Sequence, residues 1–412
     1  MKRICLSSLA LLLIASSSQG DTFTRIVRPL NTGANPTAIA ATDLNGDGWP
    51  EIITADRGEL GDPREERPAN NELSLFIAQG DMDYVKRHPS LTTDFGPYAI
   101  SIANIDNLKW PDILVASFHA TKREPLSLFL NLKSEELFKP VTFSVPDEHL
   151  TYYRHQDGER HPLFTKPGLT ALKVRDLNGD GLRDVMATGW SSDVLVFFPG
   201  AEETFFGDPV LIPAQGAPRD LVLADFNSDG HTDIAATMYG TNELAFWQGD
   251  GTGSFVPVNR ILCRATLPGR LRYADVNGDG KDDLVVAHAG VEDAIVFFYG
   301  DGNFNFSVSQ ELRIGKDAQL LEYEIRDIIV EDLNGDGRID VAATCYASQQ
   351  LLLFLNVTEG KAHLQEFKQE SYAYKEGRPR ALCSADFNQD GKRDLALTLW
   401  ETNQVSILLG ND

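Results

Sequence analysis

The chain has 412 residues, 42% of them hydrophobic, and a formal net charge of −23. Its length and apolar content allow a sizeable core. Its acidity excludes nucleic acid as a partner, because phosphate contacts need clustered Lys and Arg.

The chain opens with Lys2 and Arg3, an apolar run from Ile4 to Ala15, and a small or polar segment from Ser16 to Gly20. This is the pattern of a secretory signal, and the run is too short to span a bilayer. Cleavage is predicted near Gly20, leaving residues 21–412 as an exported chain, secreted or periplasmic. Cys5 precedes the apolar run, which argues against a lipoprotein. No later stretch is apolar for long enough to cross a membrane, so no span is expected in the mature chain. A monomer is expected. Cys263, Cys345 and Cys383 are too sparse for a disulfide framework; a bridge between Cys345 and Cys383 is left open, with buried thiols favoured.

From residue 36 onward one grammar repeats. An alternating strand such as Thr37-Ala-Ile-Ala-Ala-Thr42 precedes a polar loop. An apolar strand follows at once, as in Glu51-Ile-Ile-Thr-Ala55 or Asp283-Leu-Val-Val-Ala287. A third strand comes after a polar turn (Leu73–Ile77, Val194–Phe198, Ala294–Phe298), and a Gly-rich turn introduces a fourth. Period-two alternation and short β-branched or aromatic runs mark strands, and no stretch carries a helical period.

The loop is DLNGDGLRD at 176–184, with full relatives beginning at Asp43, Asp225, Asp275, Asp332 and Asp386 and a damaged one at Asn104. Seven copies at intervals of 49 to 72 residues predict one all-β domain, a seven-bladed β-propeller with four antiparallel strands per blade, over residues 21–412. Residues 22–29 are predicted to supply the fourth strand of the last blade, closing the ring and removing its exposed edges. Loops at 56–72 and 117–125 and a longer insertion at 146–168 are polar and turn-rich, hence surface segments.

Positions 1, 3, 5 and 9 of the loops are Asp43, Asn45, Asp47 and Glu51; Asp176, Asn178, Asp180 and Asp184; Asp225, Asn227, Asp229 and Asp233; Asp275, Asn277, Asp279 and Asp283; Asp332, Asn334, Asp336 and Asp340; Asp386, Asn388, Asp390 and Asp394. Oxygen donors at alternate positions of a tight turn converge on one point, and Gly at position 6 permits the turn. Three carboxylates and an amide suit a hard cation with many ligands, so about six Ca2+ ions are expected rather than zinc, which wants His or Cys. The alternative is a set of Asx-turn hairpins without an ion. An EF-hand is rejected, because position 12 is Thr54, Ala187 or Ala236 and lies in a strand. Blade 2 has Asn104, Asp106, Leu108 and Asp112, with Lys109 in place of the glycine, so no ion is expected there and Trp110 and Pro111 are expected to hold the hairpin.

These loops resemble those of the FG-GAP/VCBS repeat family, whose relatives include the integrin α-subunit propellers. The resemblance implies a seven-bladed propeller with calcium on the hairpin joining the first and second strands of a blade. It implies no single activity, since similar propellers occur in adhesion receptors, fungal lectins, beside phospholipase domains and in some polysaccharide lyases.

If those hairpins line one face, the opposite ends of the same strands line the other. Fourteen residues after position 1 stand Arg57, Phe118, Trp190, Tyr239, Ala289, Tyr346 and Trp400. Six residues before it stand Thr37, Tyr98, Thr170, Arg219, Gly269, Arg326 and Arg380. Aromatic faces stack on sugar rings and Arg binds acidic groups, so this ring is a candidate ligand site. The alternative is a plug in the central channel, with the arginines paired to Asp220 and Asp327. Tyr152, Tyr153, Arg154, His155 and His161 of the insertion are candidates to complete such a site.

No Gly-x-Ser-x-Gly, His-Glu-x-x-His or Gly-Lys-Ser/Thr motif is present, and His119, His155, His161 and His288 make no evident acid-base set. The expectation is therefore a binding module for a glycan or an extracellular or envelope protein, with structural calcium. A carbohydrate-active enzyme of lyase type, or a purely structural or adhesive protein, are the alternatives.

Overall fold

The chain is described in a computed structural model covering residues 21–411, apart from 27, 59–70, 81, 95, 119–123, 133–137, 146–151, 157–158, 165–167, 291–293, 315–323 and 361–363. No helix occurs among the described residues, and seven antiparallel sheets form the blades of a β-propeller. The proposed leader, and the tips of the loops at 56–72 and 117–125, lie outside the described residues.

Blades 1 to 6 run outward from the axis in sequence order. Blade 4 is typical: Pro218–Ala224, Asp233–Met238, Glu243–Gly249 and Phe255–Leu262. The first strands of successive blades pack against one another right round the ring, blade 7 against blade 1 included. Second strands such as Glu51–Asp56 and Asp233–Met238 are buried at every residue, which explains the apolar runs at their centres. Fourth strands face solvent, as at Phe255–Leu262, where Val256 and Leu262 are exposed. The core is divided: among the described residues one apolar cluster lies between each pair of neighbouring blades.

The ring closes as the sequence predicts. Phe23–Arg25 pairs with Leu408–Gly410, so an N-terminal strand completes blade 7. Pairing resumes at Leu30↔Val405 and Asn31↔Gln404, beyond the predicted end at residue 29. The break falls at Arg28 and Pro29, and Pro29 has no N–H to give the ladder.

Blade 3 departs from the expected grammar. A small hairpin, Gly200–Ala201 with Phe205–Phe206, separates its third strand from a fourth of only four residues, Val210–Pro213. The insertion before blade 3 contains an antiparallel hairpin, Tyr152–Gln156 with Glu159–Phe164. The side chains proposed there to complete a site, those of Tyr152, Tyr153, Arg154, His155 and His161, lie outside the described set, as does His119. Cys263, Cys345 and Cys383 are free thiols, so Cys345 and Cys383 do not pair.

Candidate functional site

The six full loops share one hydrogen-bond plan. In blade 3, Asp176 accepts the N–H groups of Gly179 (2.7 Å) and Gly181 (3.0 Å), and Asp180 accepts that of Leu182 (2.7 Å). The position-2 side chain turns inward as a plug: Leu44, Leu177, Phe226, Val276, Leu333 and Phe387 are all buried, as is Ile105 of blade 2.

Position 9 does more than the sequence suggested. Asp233 is fully buried, accepts the Phe226 N–H through one oxygen (2.9 Å) and accepts the Gly249 N–H through the other (2.9 Å). The same double anchor recurs at Asp184, Asp283, Asp340 and Asp394, and at Asp112 of blade 2. It ties the loop to the end of the third strand. Burial pushes Asp233, Asp283, Asp340 and Asp394 up to about 6 and Glu51 to about 7, and the loop carboxylates push in the same direction.

Among the described residues no three His, Cys, Asp or Glu side chains draw together tightly enough to enclose an ion. The donor set nevertheless suits a hard cation. Each loop gathers three carboxylates and an amide oxygen on one turn, neighbouring carboxylates add a smaller push to the burial that raises the position-9 groups, and no basic side chain is common to the set. Blade 2 is built differently: Leu108 replaces a carboxylate, Asn104 donates to the Leu108 carbonyl, and the Lys109 ammonium sits 4.5 Å from the centroid of the Trp110 ring. Trp110 packs over Gly46 of blade 1, where an added Cβ would lie 2.3 Å from the indole.

The glycine that ends the third strand is a close-approach residue. A Cβ on Gly249 would lie 2.1 Å from the Thr232 carbonyl, and the equivalent distances at Gly300 and Gly410 are 2.3 and 2.6 Å. Gly249→Ala is therefore expected to cost about 1–3 kcal/mol, the usual price of overpacking. Denaturant unfolding measures it, and an unchanged midpoint would show that the strand end can move aside.

At the opposite end, all nine candidate ligand residues join one contact network, and its hub is Tyr98. Ring centroids run Tyr98–Phe118 (5.7 Å), Phe118–Trp190 (5.6 Å) and Trp190–Tyr239 (6.4 Å), with Tyr346–Trp400 (6.5 Å) across the axis. Arg219 lies 5.2 Å from the Tyr98 ring and donates to its hydroxyl; Arg380 lies 4.4 Å from the Trp400 ring and reaches the same hydroxyl at 3.4 Å. Arg57 stands over Tyr98 and Phe118, and Arg326 over Tyr346.

Below Tyr98 is an axial cavity of about 120 Å³ lined by Lys173, Arg270, Arg272, Asp220 and Asp327 among others. Arg272 bridges Asp220 (3.1 Å) and Asp327 (2.8 Å), which also accept backbone N–H groups. The acids named from the sequence thus do bind arginine, but it is Arg272 and Arg270, from blade 5, and not the candidate Arg residues of the mouth. Lys173, Arg270, Arg272 and the hub role of Tyr98 escaped sequence reading. The signal available was that Lys173, Arg272 and the two acids sit in first strands, the ones nearest the axis.

Electrostatics follow from this crowding. Burial alone would raise the Tyr98 phenol, but Arg219, Arg380, Arg270 and Arg57 outweigh it and bring it from 10 down to about 7. Arg380 is lowered to about 9 by burial, with Arg326, Arg57 and Arg219 adding repulsion against the attraction of Tyr98. A depressed acid contributes fully above its unfolded value, here 10, and the contribution is lost as pH falls through about 7. Ultraviolet titration should therefore show a tyrosine ionising near neutrality, absent in Tyr98→Phe. Identical neutral-range curves for the two proteins would refute the assignment. His288 is buried and held down at about 4, so it is neutral at physiological pH.

Comparison with known proteins now bears on the repeats. The FG-GAP-like repeat pattern matches residues 176–236, 225–286, 275–343 and 332–397, which together span more than half of the chain. The chain belongs to the FG-GAP-like repeat family. No curated protein matches it. Among solved structures, BBS1N in complex with ARL6DN is similar at 13% identity and a TM-score of 0.59, over 93% of this chain and 94% of that one. Virginiamycin B lyase from Staphylococcus aureus is similar at 12% identity, TM-score 0.56, over 92% and 98%. The periplasmic gluconolactonase of Pseudomonas aeruginosa is similar at 14%, TM-score 0.56, over 82% and 85%. At such identities the likeness is one of fold. This FG-GAP-like propeller therefore takes its functional reading from its own residues.

Proposed function

We propose that the chain is an exported, calcium-loaded propeller that acts as a binding module, its calcium structural and its ligand an anionic glycan held at the axial mouth. The observation that carries this is the gathering of Arg57, Arg219, Arg326 and Arg380 with Trp190, Tyr239, Tyr346 and Trp400 at one end of the axis. Aromatic faces suit sugar rings, and like-charged arginines in so small a space favour an acidic ligand. The six carboxylate loops at the other end suit calcium and hold hairpins in shape. Propellers of this shape do hold partners, as BBS1N in complex with ARL6DN illustrates.

A glycan array read with and without chelator tests the reading. Acidic glycans should be retained when calcium is present. Arg219→Gln should weaken them by about 1.5–3 kcal/mol, as for the loss of a charged hydrogen bond. Trp190→Ala should weaken them further, with melting curves checked for both variants. Binding that ignores both changes would move the ligand to the loops, as for a protein partner or an adhesive role.

A second reading, a carbohydrate-active lyase, draws on Tyr98, a phenol that ionises near neutrality among arginines. Against it, Tyr98 is only 4% exposed. Release of unsaturated sugar from an acidic polysaccharide, followed by ultraviolet absorbance, would favour it over the binding module.

A further inference from the structure

The aromatic and Arg ring is interrupted at blade 5. At the two registers that form the ring, every other blade carries a bulky or charged side chain at one position at least, whereas blade 5 has only Gly269 and Ala289. A pocket of about 200 Å³ opens there, with Trp190, Arg219 and Tyr239 on one side and Glu324 and Arg326 on the other. Arg270 reaches under it, its Nε donating to the Arg326 carbonyl at 2.9 Å. The space belongs to the missing side chains: a Cβ built on Gly269 meets nothing closer than the Ala287 carbonyl at 3.7 Å.

The walls differ in chemistry. Trp190 and Tyr239 meet edge to face, with Arg219 5.8 Å from the Tyr239 ring and 6.0 Å from that of Trp190. Facing them, Arg326 pairs with Glu324 through Nη2, while its Nε is buried and has no hydrogen-bond partner among the described residues. A buried, unsatisfied guanidinium donor costs free energy unless something accepts from it. At about 200 Å³ the pocket is smaller than the roughly 300–1,000 Å³ of sites for drug-sized ligands, so it takes one small unit.

We propose that the blade 5 gap is a monosaccharide pocket that receives a single anionic sugar at the end of a chain, its ring against Trp190 and Tyr239, its acidic group between Arg219 and Arg326, and a hydroxyl on Glu324. This rests on the glycan reading above and narrows it to one terminal residue and one blade. A carboxylate and a sulfate ester share the chemistry the two arginines recognise.

The test is calorimetry on the full chain in calcium, with glucuronate, glucose 6-sulfate, glucose and an acidic oligosaccharide, the last with its terminal residue either free or blocked. Free acidic monosaccharides should bind and glucose should not. Blocking the terminal residue should weaken the oligosaccharide by roughly tenfold or more. Ala289→Phe, which places in blade 5 the kind of side chain its neighbours carry, should remove binding without lowering the melting temperature. Whichever acidic monosaccharide binds, glucuronate or glucose 6-sulfate, identifies the group.

Equal binding of blocked and free oligosaccharide, or full binding by a folded Ala289→Phe, would overturn the pocket while leaving the glycan reading intact. Failure of every acidic sugar, or binding of acidic peptides alone, would overturn both.

Discussion

Deletion of residues 21–31 is expected to unfold the ring or lower its melting temperature steeply. Those residues complete blade 7 through Phe23↔Gly410, Thr24↔Leu409 and Arg25↔Leu408, and pair again at Leu30↔Val405. The Ile26 N–H donates to the Ile407 carbonyl (2.9 Å), and that of Asn411 donates to Thr22 (2.8 Å). Phe23 is 1% exposed, Ile26 7% and Leu30 9%. Burial of such side chains is worth about 1.5–3 kcal/mol each, so the three contribute roughly 5–9 kcal/mol. Native domains are stable by only about 5–15 kcal/mol, so the loss removes most of the margin. It also exposes Gln404–Gly410 as a free sheet edge, which invites aggregation. Phe23→Ala is the milder version, expected to cost about 3–5 kcal/mol. Thermal unfolding followed by circular dichroism measures both, and a deletion variant that melts like the parent would disprove closure by this strand.

Removal of calcium is the second large effect. Calorimetric titration of the chelated chain should count close to six ions, and Asp229→Ala should leave five. Each site that binds only the folded state adds about 2.7 kcal/mol at a hundredfold excess over Kd, so six together contribute on the order of 15 kcal/mol. Chelation should accordingly lower the melting temperature by on the order of 10–20 °C. The physical reason is local: without a cation, the carboxylates at positions 1 and 5 repel each other and the buried carboxylate at position 9. Two or fewer ions would sink the assignment and leave the hairpins held by their Asx hydrogen bonds. Blade 2 supplies an internal control, because restoring its loop with Leu108→Asp and Lys109→Gly together should add an ion.

The blades were legible in the sequence because their signals are local. Strands announce themselves by period two, and a loop such as Asp176–Asp184 carries its turn residues, its carboxylates and its Gly within nine positions. Counting fixed offsets from Asp176 then marks Trp190 and Thr170 at the far ends of the adjoining strands, since a strand has a constant rise per residue. The same counting placed Arg57, Phe118, Tyr239 and Trp400 on one face, where the structure joins them into a network.

What the chain determined by itself was therefore the number of blades, the closure by its own N-terminal strand, the family and the register of the far face. Tertiary structure decided what that face is. Arg380 and Tyr98 share a hydrogen bond 282 residues apart, and no local pattern announces which side chains of facing blades will meet at the axis. The bridge from Arg272 to Asp220 and Asp327 joins blades 4, 5 and 6 and occupies the acids that the sequence offered to other arginines. Gly269 and Ala289 are small residues in a ring of mostly larger ones. Only with all seven blades closed around the axis do their missing side chains become a cavity, because a void is defined by what surrounds it from every side.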